Sequence, residues 1–316
     1  NELPVLKALG EACNALCQSI AVSHNTMWQE LLGAIGQCLS QDALHRRAAL
    51  EVLASLVRSM GARLHSHYPE IGTTLAACVK DVDLRVRIAA LGVVGVAASS
   101  WCSSPEDLPS WHGAADATLE VAVSALGSSE REAPEVLVAA LRALGRLVVE
   151  LQSEALRTAS LQLVCRVLPG CSSNPNVEAC QIQALQLLRA LAKSEPMLLS
   201  TQQGQGAVAT TFAAAKDAAP SVDDLDEVST TAVAARECLR ALARANASHV
   251  LPVVLEAAQA ASASADALDR AAAVHAVAFA LCGAREAPGG WAVPLVRRAQ
   301  DGDSEEGEKI DPKMNS

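Results

Sequence analysis

The sequence contains the stretch Asp81-Val-Asp-Leu-Arg-Val-Arg-Ile-Ala-Ala-Leu-Gly-Val-Val-Gly-Val-Ala-Ala98, in which a short acidic turn precedes a long run of small and apolar residues. An acidic turn, an arginine pair and a small-residue helix are typical of the second helix of a helix hairpin. We expect Arg85 and Arg87 to brace the turn by pairing with Asp81 or Asp83. The stretch therefore predicts a core helix and offers no ligand of its own.

A strand is the alternative for the first part of this stretch. Leu84, Val86 and Ile88 alternate with arginines, which fits a strand over five residues. The apolar pattern, however, continues to Ala98, beyond the ordinary length of a strand. Length therefore favours a helix.

Phrases of the same kind recur along the chain at spacings of 35 to 54 residues. HEAT and armadillo units are about 40 to 47 residues long, with variation in their loops. The sequence therefore predicts an all-α fold, a HEAT-repeat superhelical solenoid of about six antiparallel helix pairs. The phrases centre on Ala49-Leu50, Ala90-Leu91, Ala140-Leu141, Ala184-Leu185, Cys238-Leu239 and Ala273-Val274.

Two regions of the chain are expected. Residues 1–300 form the solenoid, and residues 301–316, with six acidic side chains and two lysines, form an acidic disordered tail. The chain starts with Asn1 in the middle of a helical pattern, so we interpret it as a fragment of a longer protein.

Local boundaries follow from the same apolar periodicity. In the first complete hairpin we expect helices over residues 28–39 and 48–57, with residues 40–47 as the turn. A last helix is predicted over residues 291–299. The acidic run Asp223–Glu227 is interpreted as a solvated loop, with a docking site for a basic partner as the alternative.

Composition limits the possible functions. Apolar residues make up 51% of the chain and aromatic residues 2%, which favours close helix packing over strands. The formal charge of −10 argues against direct nucleic-acid binding and favours basic partners. The uncharged run Ile88–Pro105 has a polar second half, so no membrane association is expected. Cysteines in apolar phrases are expected to be reduced and buried: Cys38, Cys78, Cys165, Cys238 and Cys282.

Three patterns in the sequence contain residue types that could support chemistry. Gly204-Gln-Gly206-Ala-Val-Ala209 fits a loose dinucleotide-binding fingerprint, but a poor strand precedes it and no βαβ unit surrounds it. His65 with His67, and Cys13 with Cys17, lack a second ligand pair at zinc spacing. We therefore expect no enzyme activity, no cofactor and no metal.

A partner surface is the more interesting candidate. Polar residues of the return helices are expected to point away from the core, towards the concave face of the stack. Solubility alone explains most such residues, and a partner-binding surface is the alternative. The candidates are Arg142, Arg146, Arg189, Arg236 and Arg240, and two pairs among them are four residues apart on one helix side.

The order of these phrases resembles the importin-β (karyopherin-β) superfamily. Trp28-Gln-Glu-Leu-Leu32 followed by Arg47-Ala-Ala-Leu50 is similar to its W-P-E-L-L and R-x-x-A-L hairpin. Asp83–Leu91, Ala184–Met197 and the segment from Val233 to Val274 resemble later segments in the same order. The resemblance covers roughly residues 1–283 and is greatest to the amino-terminal HEAT repeats of the importin four/five-like subgroup.

This resemblance implies a nuclear transport receptor present in cytoplasm and nucleus. It would bind basic cargo such as ribosomal proteins or histones, contact nucleoporins, and release cargo when the GTPase Ran binds in its GTP form. The alternative is a HEAT-repeat scaffold subunit of a phosphatase or another assembly, which would not respond to Ran.

Overall fold

The computed structural model describes residues 3–24, 29–100, 108–128, 133–169, 175–216 and 230–287. Most of these residues are helical, and the predicted all-α solenoid is confirmed. Two short 3₁₀ segments, Gly61–His67 and Pro196–Ser200, lie between helices. The α-helices are α1 Leu3–His24, α2 Gln29–Leu39, α3 Ala43–Met60, α4 Tyr68–Cys78, α5 Leu84–Ser100, α6 Leu108–Gly127, α7 Ala133–Glu150, α8 Glu154–Val167, α9 Pro175–Ser194, α10 Gln202–Lys216, α11 Thr230–Ser262 and α12 Ala267–Glu286.

The helices stack in two layers. One layer contains the return helices, and each packs on the next in the order α1, α3, α5, α7, α9, α11 and α12. The other layer contains α4, α6, α8 and α10, again in chain order. The hairpins α2–α3, α4–α5, α6–α7, α8–α9 and α10–α11 join the layers, so the apolar core is continuous between them.

Helix α11 contributes to two successive hairpins because it is kinked. Asn246 has non-helical backbone angles (φ −153°, ψ 73°), which divide the helix into two arms. The Asn246 side chain donates from Nδ2 to the carbonyl of Pro196 at 2.9 Å, which fixes the kink against the 3₁₀ segment. The first arm continues the return-helix layer, and α12 follows the second arm and packs on α11.

The first hairpin differs from its predicted boundaries. Helix α3 begins at Ala43, inside the segment that the sequence assigned to a turn. Asp42 caps it, because its Oδ1 accepts a hydrogen bond from the backbone N–H of His45 at 3.0 Å. The polar residues His45, Arg46 and Arg47 in its first turns hid the helix start from a prediction based on apolar periodicity. Trp28, the acidic run 223–227, residues 291–299 and the tail 301–316 lie outside the described residues.

The acidic turn before α5 connects two hairpins. Asp83 accepts from the backbone N–H groups of Arg85 (2.8 Å) and Val86 (3.2 Å) and so caps α5. Asp81 pairs with Arg46 of the preceding hairpin at 2.8 Å, instead of with the expected Arg85 or Arg87. The turn therefore braces the stack between repeats.

Successive helices approach closely where small residues meet. A Cβ placed on Gly95 of α5 would lie 3.6 Å from Cα of Ala143 in α7. A Cβ on Gly283 of α12 would lie 2.0 Å from the carbonyl oxygen of Arg240 in α11. Real side chains do not tolerate the second distance, so glycine sets how closely these two helices pack.

One described helix, α12, is long and apolar enough to cross a membrane by length and composition alone. A core helix of a helical repeat passes the same test, and α12 packs on α10 and α11. Its packed residues include Ala273, Ala276 and Ala280.

Replacing Asp81 with asparagine should lower the free energy of unfolding by about 1–3 kcal/mol at neutral pH, because Arg46 is partly buried and would lose its charged partner. Partial burial alone would raise the pKa of Asp81, but hydrogen bonds from Arg46 and from the Asp83 backbone, with the charge of Arg46, lower it. A carboxylate with a lowered pKa stabilises the fold at higher pH and stops doing so as the pH falls through that pKa. The difference between wild type and variant in urea unfolding should therefore shrink as the pH falls below about 4.

The control is Glu120→Gln, which removes the exposed ion pair with Lys80 and should change stability by less than about 1 kcal/mol. Equal effects of the two substitutions, or an Asp81→Asn effect that does not depend on pH, would contradict the role of this pair.

Two glycines in α10 should respond in opposite directions to alanine. A Cβ on Gly204 would lie 2.1 Å from the carbonyl oxygen of Leu198, so Gly204→Ala should destabilise the chain by about 1–3 kcal/mol. Nothing lies within 4 Å of a Cβ on Gly206, so Gly206→Ala should stabilise it by about 0.5–1 kcal/mol through helix propensity. Thermal unfolding followed by circular dichroism measures both, and shifts of the same sign would contradict this packing.

Candidate partner-binding groove

Three of the five predicted arginines lie together. Arg142 and Arg146 on α7 and Arg189 on α9 are exposed and line one groove with a volume of about 1120 Å³. The groove extends from α7 across α9 to the first arm of α11. It therefore lies on the return-helix layer, where the sequence placed the partner surface.

The other two predicted arginines have contacts within the fold. Arg236 is half-buried and donates from Nε to the carbonyl of Ala215 at 3.3 Å, which ties α11 to α10. Arg240 donates from Nε to Oε1 of Glu286 at 3.1 Å, which ties α11 to α12. This hydrogen bond and the charge of Arg240 lower the pKa of Glu286. Both arginines join neighbouring helices and do not line the groove.

The groove is also lined by two further cations, which were not among the residues predicted from the sequence. Lys193 lies four residues after Arg189 on α9, and Arg244 lies four residues after Arg240 on α11. Arg244 is within 3.9 Å of Glu286. The arginine pairs were selected by their i, i+4 spacing. Continuing the same spacing for one more helical turn would have identified both residues.

The floor of the groove consists of apolar side chains and two side-chain amides. Leu141 and Leu187 are buried beneath it, and small side chains such as Ala190 and Ala245 form its surface. Gln183 and Gln186 also line it. The Oε1 atom of Gln183 is buried and has no hydrogen-bond partner among the described residues.

Cys238 lies in the core beside this groove. Its Sγ donates to the carbonyl of Leu185 at 3.5 Å across the α9–α11 contact. Burial raises the pKa of Cys238 to about 12, although the nearby charge of Arg189 acts in the opposite direction. Cys180 is placed similarly between α9 and α7, and burial raises its pKa to about 11. These thiols therefore supply no nucleophile at neutral pH.

The cysteines are not uniformly buried as expected. Cys78 and Cys238 are buried, Cys38 and Cys165 are half-buried, and Cys282 is exposed on α12. The structure places Cys282 on the solvent side because α12 packs with its alanine and glycine positions. The apolar sequence around Cys282 could not show which face of α12 is buried, because small residues occur on both faces of this helix.

The glycine fingerprint has a structural explanation. Gly204 and Gly206 lie within α10, and Thr201 accepts a hydrogen bond from the Gly204 backbone N–H at 3.1 Å. Close packing on Leu198 accounts for Gly204 without a phosphate. Within the described part of the chain, no group of three or more His, Cys, Asp or Glu residues is placed to hold a metal ion.

Residues 7–131 match the family model described as "IPO5-like, TPR repeats". This match covers the first helix pairs, including the acidic turn before α5. The predicted resemblance to the importin-β superfamily is thereby confirmed over these residues. The subgroup within the superfamily stays a prediction. Among curated proteins, no sequence matches the chain.

The same conclusion about the fold comes from solved structures. The chain is similar to Kap121p bound to Nup53p, with 19% identity and a TM-score of 0.63 over 87% of this chain and 27% of that chain. Kap121p bound to RanGTP is 17% identical, with a TM-score of 0.62 over 87% of this chain and 26% of that chain. Kap121p bound to Ste12p is 19% identical, with a TM-score of 0.63 over 87% of this chain and 27% of that chain. This importin-β-like chain thus spans about a quarter of the length of the Kap121p chains.

Thiol alkylation tests the arrangement of the groove and its core. Cys282 should react with iodoacetamide in the native state at pH 8, whereas Cys238 should react only after unfolding, because its thiol is buried and largely protonated. Mass spectrometry of digests with and without denaturant measures the two rates. Native-state labelling of Cys238 at a rate similar to that of Cys282 would contradict the packing of α11 on α9.

Proposed function

We propose that this chain is part of a nuclear transport receptor that binds cargo proteins for Ran-dependent import. The observation that carries the proposal is the family match over residues 7–131, together with a fold similar to Kap121p over most of the chain. Kap121p has been solved with RanGTP, Nup53p and Ste12p. By analogy we propose Ran, nucleoporins and cargo proteins as partners of this chain.

We further propose basic cargo, such as ribosomal proteins or histones, and a location in cytoplasm and nucleus. The formal charge of −10 supports basic cargo, because opposite charges accelerate encounter and limit the choice of partners. The groove between α7, α9 and α11 carries positive charge, so basic cargo would bind elsewhere on the chain. Function of this kind needs no chemistry from the chain itself.

A scaffold subunit of a phosphatase or another assembly is the second candidate, favoured only by the generality of the HEAT fold. A scaffold would hold a catalytic subunit at fixed stoichiometry, and the nucleotide state of Ran would not affect that complex. Response to Ran therefore distinguishes the two.

The test uses the whole protein that contains this chain, immobilised and loaded with core histones. Ran carrying a non-hydrolysable GTP analogue should bind and weaken histone binding at least about tenfold, as expected of two ligands with opposing coupling. Ran with GDP is the control and should leave the histones bound. The amount of histone eluted at each Ran concentration is measured.

Two results would reject the proposal. One is the absence of any binding of GTP-form Ran together with no nuclear accumulation of fluorescent cargo in permeabilised cells. The other is a stable catalytic partner whose retention does not change with nucleotide, which would identify a scaffold.

A further inference from the structure

The groove between α7, α9 and α11 has a charge opposite to that of the chain. Its lining contains five cationic side chains and one carboxylate, Glu150, although the chain has a formal charge of −10. The cations come from three successive return helices: Arg142, Arg146, Arg189, Lys193 and Arg244. This concentration of positive charge marks a site for an anionic partner.

Most of these cations are available to a ligand. Arg142, Arg146, Arg189 and Lys193 are exposed, and in the described part of the chain no carboxylate lies within ion-pair distance of any of them. Arg236 and Arg240, in contrast, are held by contacts within the fold. These four cations therefore have no structural ion pair that accounts for their convergence, whereas Arg244 is paired with Glu286.

The shape of the groove fits an extended chain. Three stacked helices with axes about 8–10 Å apart span roughly 20 Å. That length corresponds to about six residues of extended polypeptide. The lining cations come from both α7 and α9, and apolar side chains such as Val149 and Ala190 line the same groove, so acidic side chains on one peptide could reach both helices.

We propose that this groove is a docking site for an acidic, extended peptide segment of a partner protein. Arg142, Arg146 and Arg189 pair with its carboxylates, since a guanidinium binds a carboxylate through two parallel hydrogen bonds. Gln183, whose buried Oε1 has no partner in the described chain, accepts a backbone N–H of the peptide. Small apolar side chains such as Ala245 contact an aliphatic residue placed among the acids.

A peptide fits better than a nucleic acid, the other common polyanion. No aromatic side chain lines the groove, so bases would have nothing on which to stack. The negative charge of the whole chain also opposes a long polyanion, whereas a short acidic segment contacts only the groove.

The probe is a fluorescein-labelled octapeptide of glutamates interrupted by one leucine, and binding to the full chain is measured by fluorescence anisotropy. The same peptide with lysines in place of glutamates is the first control and should bind at least tenfold more weakly. The affinity for the acidic peptide should fall as sodium chloride is raised, because these charges are exposed and screened.

The deciding variant is Arg142→Glu with Arg189→Glu, which should weaken binding of the acidic peptide at least tenfold. Its matched control is Arg63→Glu with Arg166→Glu, which changes the net charge equally at exposed arginines outside the groove. This control should change the affinity by less than about twofold, since long-range charge alone is screened. Melting curves verify that both variants fold, which is expected because all four side chains are exposed.

Other occupants are outcomes that would overturn the proposal. A single-stranded oligonucleotide that binds more tightly than the peptide and is lost in the groove variant would identify a nucleic-acid site. Tighter peptide binding after Glu305→Gln, Glu306→Gln and Glu308→Gln would identify the chain's own acidic end as the occupant. Equal losses in the groove and control variants would show that no specific site exists. None of these results depends on whether Ran binds.

Discussion

The structure depends on the close approach of successive return helices. Small residues allow this approach, as where Gly95 meets Ala143 and Gly283 meets the backbone of Arg240. Helices that touch at such positions bury leucine and valine side chains on both sides of the contact, and the core runs unbroken from α1 to α12. A composition of 51% apolar but only 2% aromatic residues is what this kind of packing requires, since large rings would separate the helices.

The same packing determines what the exposed faces can do. Helices α7, α9 and α11 each carry exposed cationic side chains, and stacking places these side chains along one groove. Five cations that are far apart in sequence thereby share one groove. The net charge of −10 describes the whole molecule and does not predict the charge of this surface. For a solenoid, the choice of partner depends more on the charge of such local surfaces than on the net charge of the whole molecule.

Much of this arrangement could be predicted from the sequence. The recurring Ala-Leu phrases identified the fold class and located the return helices, because their apolar period is local information. Arg142, Arg146 and Arg189 were found for the same reason. Contacts between repeats were not predictable: the pairing of Asp81 with Arg46, the capture of Arg240 by Glu286 and the exposure of Cys282 depend on how neighbouring hairpins dock. The start of α3 was missed because its first turns contain the polar run His45-Arg46-Arg47, which is also typical of a turn.

The central claim is that tight stacking of α7, α9 and α11 brings the groove cations together. Pulsed electron spin resonance between spin-labelled unnatural amino acids at positions 146 and 244 tests it directly without using the native cysteines. Two stacking steps predict a narrow distribution near about 20 Å. A broad distribution, or one centred beyond about 35 Å, would mean that the three helices are not stacked in solution, and would contradict the account.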